Sequence, residues 1–127
     1  MKINTIETFV KEWFAKFDAL VDESQFLPYL SKDAKMVFPE GTVIGHDGFS
    51  QWYNTIKQTI KPNNTHTISN LKITSKTLNL YTIELDVYLK AELLDGTPFE
   101  LSAHEIWSLE IINEHPIIHT YLVTLKN

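Results

Sequence analysis

The stretch Leu85-Asp86-Val87-Tyr88-Leu89-Lys90-Ala91-Glu92-Leu93-Leu94-Asp95-Gly96-Thr97-Pro98-Phe99-Glu100-Leu101-Ser102-Ala103-His104-Glu105 decides how this chain folds. It reads as two strands folded back on each other at Asp95-Gly96. Ile83, Leu85, Val87, Leu89, Ala91 and Leu93 occupy alternate positions before the turn. Phe99, Leu101, Ala103, Glu105, Trp107, Leu109 and Ile111 do so after it. Side chains alternate faces along a strand, so each set shares one surface. A loop of Leu94-Asp95-Gly96 with Gly96 as a G1 bulge sets Leu93 against Thr97 and Leu85 against Glu105. A strict two-residue turn would instead set Asp86 and Glu84 against Glu105 and Trp107, mixing the two faces. The bulged register keeps apolar with apolar and is the expectation. Glu105 is then the one ionisable group on an apolar face. A carboxyl so placed needs a partner or a raised pKa, and both point to a lined cavity.

Outward from that hairpin, the chain reads as one domain over residues 1–127, long enough for a single core. Apolar residues make up 43% and charged residues 21%, ordinary for a soluble globular protein. A net charge of −5 argues against nucleic acid, whose phosphates attract a basic face. All eleven basic side chains are lysines, so nothing here depends on the bidentate fork of a guanidinium. Without cysteine there is no disulfide, thiolate nucleophile or thiolate metal site. Met1-Lys2-Ile3-Asn4-Thr5-Ile6-Glu7 lacks the apolar stretch of a signal peptide, and no run approaches membrane-spanning length. A cytoplasmic protein with no membrane partner is expected.

Ile6, Phe9, Val10, Trp13, Phe17, Leu20 and Val21 recur at helical intervals, broadened by Phe14, with Asn4 or Thr5 as cap. A short second helix is expected over 24–30, capped by Ser24 and kept short by Pro28. Strands follow at 34–38 and 42–45, around Pro39-Glu40-Gly41. A third helix begins at Asp47 and carries Phe49, Trp52, Tyr53, Ile56 and Ile60 on one face. Lys61-Pro62-Asn63-Asn64 ends it. The remainder reads as strands over 65–75, 78–93, 97–112 and 116–125, joined by short turns into an antiparallel meander. The expected class is α+β, with three N-terminal helices packed on one face of a curved antiparallel sheet.

This order resembles the NTF2-like superfamily, the cone fold of ketosteroid isomerase and the SnoaL-like cyclases. Trp13-Phe14-Ala15-Lys16-Phe17-Asp18 is similar to the family's aromatic opening helix. The segment from Leu30 to Gly41, with Asp33-Ala34 and Phe38-Pro39-Glu40-Gly41, resembles its first-strand signature. Gly45-His46-Asp47-Gly48-Phe49 resembles the turn into the third helix, and Glu105-Ile106-Trp107 its acidic-then-aromatic strand. Carried across, the isomerase's general base falls on Phe38, its oxyanion tyrosine on Trp13 and its second acid on Glu105. One of three roles survives, so that mechanism is not expected here. The arginine that limonene epoxide hydrolases use on this fold has no counterpart.

Glu105 is the leading acid or base. His66 occupies a position where SnoaL-like domains often carry a histidine, and imidazole suits proton shuttling at neutral pH. Ile117, His119, Tyr121, Val123 and Leu125 share a face of the last strand, which would point His119 and Tyr121 inward and Ile118 and Leu122 outward. Asp18 reads as helix rim. Glu84, Asp86 and His104 fall on the opposite sheet face, which the resemblance makes a homodimer interface. No ligand pair has metal-binding spacing, so no metal is expected. Trp13, Phe17, Tyr29, Phe38, Trp52, Tyr53, Trp107 and Tyr121 are the candidate aromatic lining. Each of these residues also has a plain structural reading, as core or as a paired surface group.

Two functions fit. One is a cofactor-free isomerase, dehydratase or cyclase that moves a proton on a small apolar carbonyl substrate, using Glu105 with His66 or His119. The other is a non-catalytic module holding an apolar ligand or a partner.

Overall fold

The computed structural model of the chain describes residues 3–126. Helix α1 (Ile3–Ala19) buries Ile6, Phe9, Val10, Trp13, Phe14 and Phe17, the stripe its periodicity dictates. Strands β1 (Leu30–Phe38) and β2 (Gly41–Ile44) form a hairpin, and helix α2 (Gly45–Lys57) follows. Strands β3 (Thr65–Thr77), β4 (Leu80–Glu92), β5 (Pro98–Ile112) and β6 (His115–Leu125) complete the chain. None of the described helices is long and apolar enough to cross a membrane.

The six strands form one sheet in the order β2-β1-β6-β5-β4-β3. The antiparallel meander over the last four is as expected. The sheet as a whole is not purely antiparallel, because β1 pairs with β6 in parallel, with Met36 beside Tyr121. Those strands are far apart in sequence, so no local turn constrains their direction. The expected second helix is replaced by two 3₁₀ turns, Glu23–Gln25 and Leu27–Tyr29. Pro28 sits in the middle of the second turn and has no N–H for an α-helical bond. Asp22, not Ser24, supplies the cap, accepting from the Ser24 N–H at 3.0 Å. Two α-helices and this 3₁₀ pair therefore stand where three helices were expected, and the α+β class holds.

α2 starts two residues before Asp47, at Gly45. Gly45 has φ +72°, and a Cβ there would lie 2.7 Å from the Lys32 carbonyl oxygen. Only glycine meets both conditions without strain.

The β4–β5 turn adopts the bulged form. Leu93 N–H donates to Thr97 O at 2.8 Å, and Gly96 N–H donates to Leu93 O at 2.9 Å. Gly96 sits at φ 91°, and Leu85 faces Glu105. The inner sheet face therefore carries the buried Ile83, Leu85, Val87, Ala103, Trp107 and Leu109 against α1 and α2. Trp13 packs edge-on against Trp107 and Phe26 at 6.0 and 5.0 Å between centroids, which joins helix, loop and sheet into one core.

The outer face is polar at its centre. His104 hydrogen-bonds Asp86 Oδ1 through Nδ1 and Glu84 Oε2 through Nε2, each at 2.8 Å. Asp86 also accepts from Asn70 at 2.8 Å and lies 3.4 Å from Lys126 Nζ. Ionised carboxylates only accept, so both bonds form together only when both ring nitrogens carry protons. The bond to Asp86, followed by that to Glu84, raises the His104 pKa. The bonds from Asn70 and His104 hold Asp86 down at about 2.

Two outcomes follow for stability. A raised histidine pKa stabilises fully below the unfolded value of about 6.5 and is lost as pH rises through the folded value. The melting temperature of the wild type relative to His104→Gln should therefore fall as pH is raised above about 6.5, which a thermal scan across pH reads directly. Gly45→Ala should cost on the order of 2 kcal/mol or more, measured by urea unfolding at neutral pH.

Candidate functional site

Between the inner sheet face and the two helices lies a cavity of about 160 Å³. That volume suits a single ring, since an apolar cavity of about 150 Å³ accepts benzene. α1 contributes Phe14 and Phe17, β1 Phe38 and α2 Trp52 and Ile56. β3 contributes His66, β5 Glu105 and β6 Tyr121. Phe38 and Trp52 stack face to face, 3.8 Å between centroids and 6° from parallel, and form one wall. Glu40, on the β1–β2 turn, accepts from Trp52 Nε1 at 3.4 Å and adds a carboxylate to the lining.

Glu105 is 5% exposed, as its place on the apolar face requires. Trp107, two residues along the same strand face, donates its indole N–H to Glu105 Oε1 at 3.0 Å. The Tyr121 hydroxyl hydrogen-bonds the same carboxyl. The Tyr121 oxygen in turn accepts from Trp13 Nε1 at 3.3 Å. Burial raises the Glu105 pKa, opposed by the Trp107 and Tyr121 bonds and by the nearby His66. Burial, reinforced by the Glu105 charge, raises the Tyr121 pKa well above that of a free phenol. Tyr121 thus remains a neutral donor.

His66, the second residue of β3, borders the same cavity. Its Nδ1 lies 2.6 Å from Asp18 Oδ1, with side chains 15% and 29% exposed. A carboxylate only accepts, so the His66 Nδ1–H donates to Asp18 Oδ1 and the Nε2 edge of the ring is left for other contacts. Among the described residues no protein group is bonded to Nε2. Phe14 and Phe17 flank the ring at 5.3 and 6.2 Å between centroids.

Asp18 was expected at the helix rim and is instead the partner of His66. Its place was signalled weakly: it lies four residues after Phe14, at the edge of the apolar stripe where α1 meets β3. Nothing local in the sequence identifies residue 66 as the other half of the pair.

His119 does not line the cavity. The β5–β6 pairing runs Ser108 to Thr120 and then Leu109 to Ile118, skipping His119. This bulge inverts the alternation. Ile118 is therefore fully buried, while His119 turns away, 41% exposed and 2.7 Å from Glu110 Oε1. Beyond the bulge Tyr121 faces inward and Leu122 outward, as expected.

Of the aromatic residues, Phe17, Phe38, Trp52 and Tyr121 line the cavity. Trp13 and Trp107 are fully buried behind it, acting through their indole N–H groups. Tyr53 is core, donating to Val21 O at 2.6 Å, and burial pushes its pKa up to about 12. Tyr29 lies outside the cavity, stacked on His115 at 4.9 Å and beneath Lys16. Among the described residues no three histidine or acidic side chains converge in a way that could hold a metal ion.

No protein-family profile matches the chain, and no curated protein does. Solved structures match it along nearly its full length. An NTF2-like superfamily protein from Salmonella enterica is 18% identical over 98% of this chain and 90% of its own, with a TM-score of 0.86. A scytalone dehydratase candidate from Novosphingobium aromaticivorans is 11% identical over 98% and 84%, with a TM-score of 0.88. A type 2 hexachlorocyclohexane dehydrochlorinase, LinA, is 13% identical over 97% and 86%, with a TM-score of 0.80. Identities this low speak to architecture alone, and on that they agree with the cone of helices over a curved sheet described above: the chain has the fold of the NTF2-like superfamily.

Proposed function

We propose that this protein is a cofactor-free proton-transfer enzyme, of the isomerase or lyase type, acting on a small uncharged ring compound. One observation carries the reading: His66, held from behind by Asp18, and the buried Glu105 border one apolar cavity. Asp18 fixes the His66 tautomer and would stabilise the imidazolium that forms when Nε2 takes a proton from carbon. The electron pair left behind needs somewhere to go. Glu105, whose pKa burial raises, would offer a proton to a carbonyl oxygen, giving an enol, or to a departing group, giving an alkene. Of its two protein neighbours, Trp107 has only an N–H to give, and the Tyr121 oxygen accepts from Trp13. A bound molecule with an acceptor oxygen would compete with that phenol for the acidic proton. In an isomerisation, His66 returns its proton at a second carbon while the enol oxygen gives its proton back to the Glu105 carboxylate, which restores the carbonyl and both side chains.

The dehydratase and dehydrochlorinase among the structural neighbours have names that describe eliminations, a class this arrangement also serves. The cavity volume favours a substrate of one ring rather than several.

The reading is tested by hydrogen–deuterium exchange and double-bond migration in 3-cyclohexenone, with cyclohexanone as a second carbon acid, followed by NMR in heavy water. Wild type should exceed His66→Gln by about 10²- to 10⁴-fold, and Asp18→Asn should lie between them. Equal rates for wild type and His66→Gln on both compounds would leave the cavity as a binding site without chemistry.

Glu105→Gln should abolish turnover and yet stabilise the fold. A carboxyl whose pKa is raised on folding stabilises fully below its unfolded value of about 4.3, and this is lost as pH rises through the folded value. Urea unfolding should show the variant level with wild type near pH 4 (about the unfolded pKa), and increasingly more stable towards neutrality.

A further inference from the structure

We infer that Asn63, through its left-handed backbone, is a positioning residue for the Asp18–His66 pair; the inference rests on the reading of that pair as the proton-transferring group. The reason begins at the end of α1. Leu20 sits at φ 50°, its N–H donates to Phe17 O at 3.1 Å, and the Val21 N–H donates to Lys16 O at 3.2 Å. These are the two bonds of a Schellman turn, and they satisfy the carbonyls of Lys16 and Phe17. The carbonyl of Asp18 remains one of the orphan acceptors that every helix leaves at its end.

A distant segment supplies its donors. Asn63 N–H reaches Asp18 O at 2.7 Å and Asn64 N–H reaches the same oxygen at 3.0 Å. Successive N–H groups converge on one acceptor where the backbone passes through the left-handed region, and Asn63 has φ 70°. Asparagine tolerates that region better than other residues with a side chain, and glycine better still. Asn64 is only 7% exposed, so the clasp is shielded and water is a poor substitute for its donors.

Three residues after Asn63 comes His66. One short segment therefore grips Asp18 twice: the main-chain oxygen through residues 63 and 64, and the carboxylate through His66 Nδ1 at 2.6 Å. With the carbonyl held, the carboxylate and the ring have one mutual orientation. If Asn63 leaves its left-handed conformation, both N–H groups turn away and the end of α1 can shift relative to the start of β3.

The molecule contains its own controls. Asn79, between β3 and β4, and Asn113, between β5 and β6, are also left-handed, at φ 69° and 50°. Neither lies in the segment that clasps Asp18. Substituting alanine at any of the three adds the same kind of backbone strain, but only residue 63 should move the pair.

The test is ¹⁵N and ¹H NMR of the histidine rings in the full chain, without ligand. In wild type, His66 should show a protonated Nδ1 whose proton is shifted downfield by its bond to Asp18. Asn63→Gly should preserve that pattern, since glycine takes the same φ. Asn63→Ala should broaden or lose it, while Asn79→Ala and Asn113→Ala lower the melting temperature and leave it unchanged. Should Asn63→Ala fail to fold, Asn63→Ser, at a milder substitution, is read in the same way. A native His66 pattern in the Asn63 variant would overturn the inference, and so would equal disturbance of that pattern in Asn79→Ala. A failed enzymatic reading would appear elsewhere, as equal rates for wild type and His66→Gln, and would leave these ring signals untouched.

Discussion

The register of β4 against β5 is the constraint on which everything else depends. Gly96 at φ 91° adds one residue to the turn, and that residue fixes which side chains of two long strands share a face. Slipped by a single position, Glu84 and Asp86 would enter the core and Leu85 and Val87 would leave it. With the bulge in place, the inner face is apolar throughout except at Glu105. The carboxyl is thus a guest in a surface built for hydrocarbon, and its raised pKa is a consequence of strand alternation.

Burying such a group without partners would be severely unfavourable. The surrounding indoles and phenol resolve this in an uneven way. Trp107 and Tyr121 both donate towards Glu105, which favours the carboxylate, while enclosure favours the acid, and enclosure dominates. Opposite Glu105, His66 is defined by a carboxylate of its own. One cavity is thus bordered by an imidazole held by a carboxylate and by a carboxyl whose pKa is raised by burial. Trp13 shows how far the arrangement extends: it is fully buried, and its N–H donates to the Tyr121 oxygen beside Glu105.

Features carried by a short period were legible in the sequence. Alternation around Asp95-Gly96 revealed the register and the isolation of Glu105, and the 3.6-residue stripe revealed α1 and its buried face. Relations between distant segments were not legible. The Asp18–His66 pair depends on where the end of α1 meets the start of β3, and residue spacing carries no record of that meeting. His119 was misplaced by a bulge that no glycine or turn residue marks, and alternation carried across it from Tyr121 points Ile118 and His119 the wrong way. The parallel partnership of β1 with β6 was hidden for the same reason as the Asp18–His66 pair. Pro28 did announce that the second helix would be short, and it shortened it to 3₁₀ turns.

That parallel partnership also governs the order in which the molecule can be completed. Leu30 lies beside Ile118 and Met36 beside Tyr121, so β1 finds its neighbour only after some eighty further residues of chain exist. While the protein is being made, the β1–β2 hairpin and the apolar side of α1 leave the ribosome well before the strand that covers them. The wall formed by Phe38 and Trp52 has no Tyr121 to meet until that last strand emerges. Assembly of the cavity is accordingly a late event in biosynthesis, and the nascent chain exposes greasy surface until then, the condition under which chaperones are engaged.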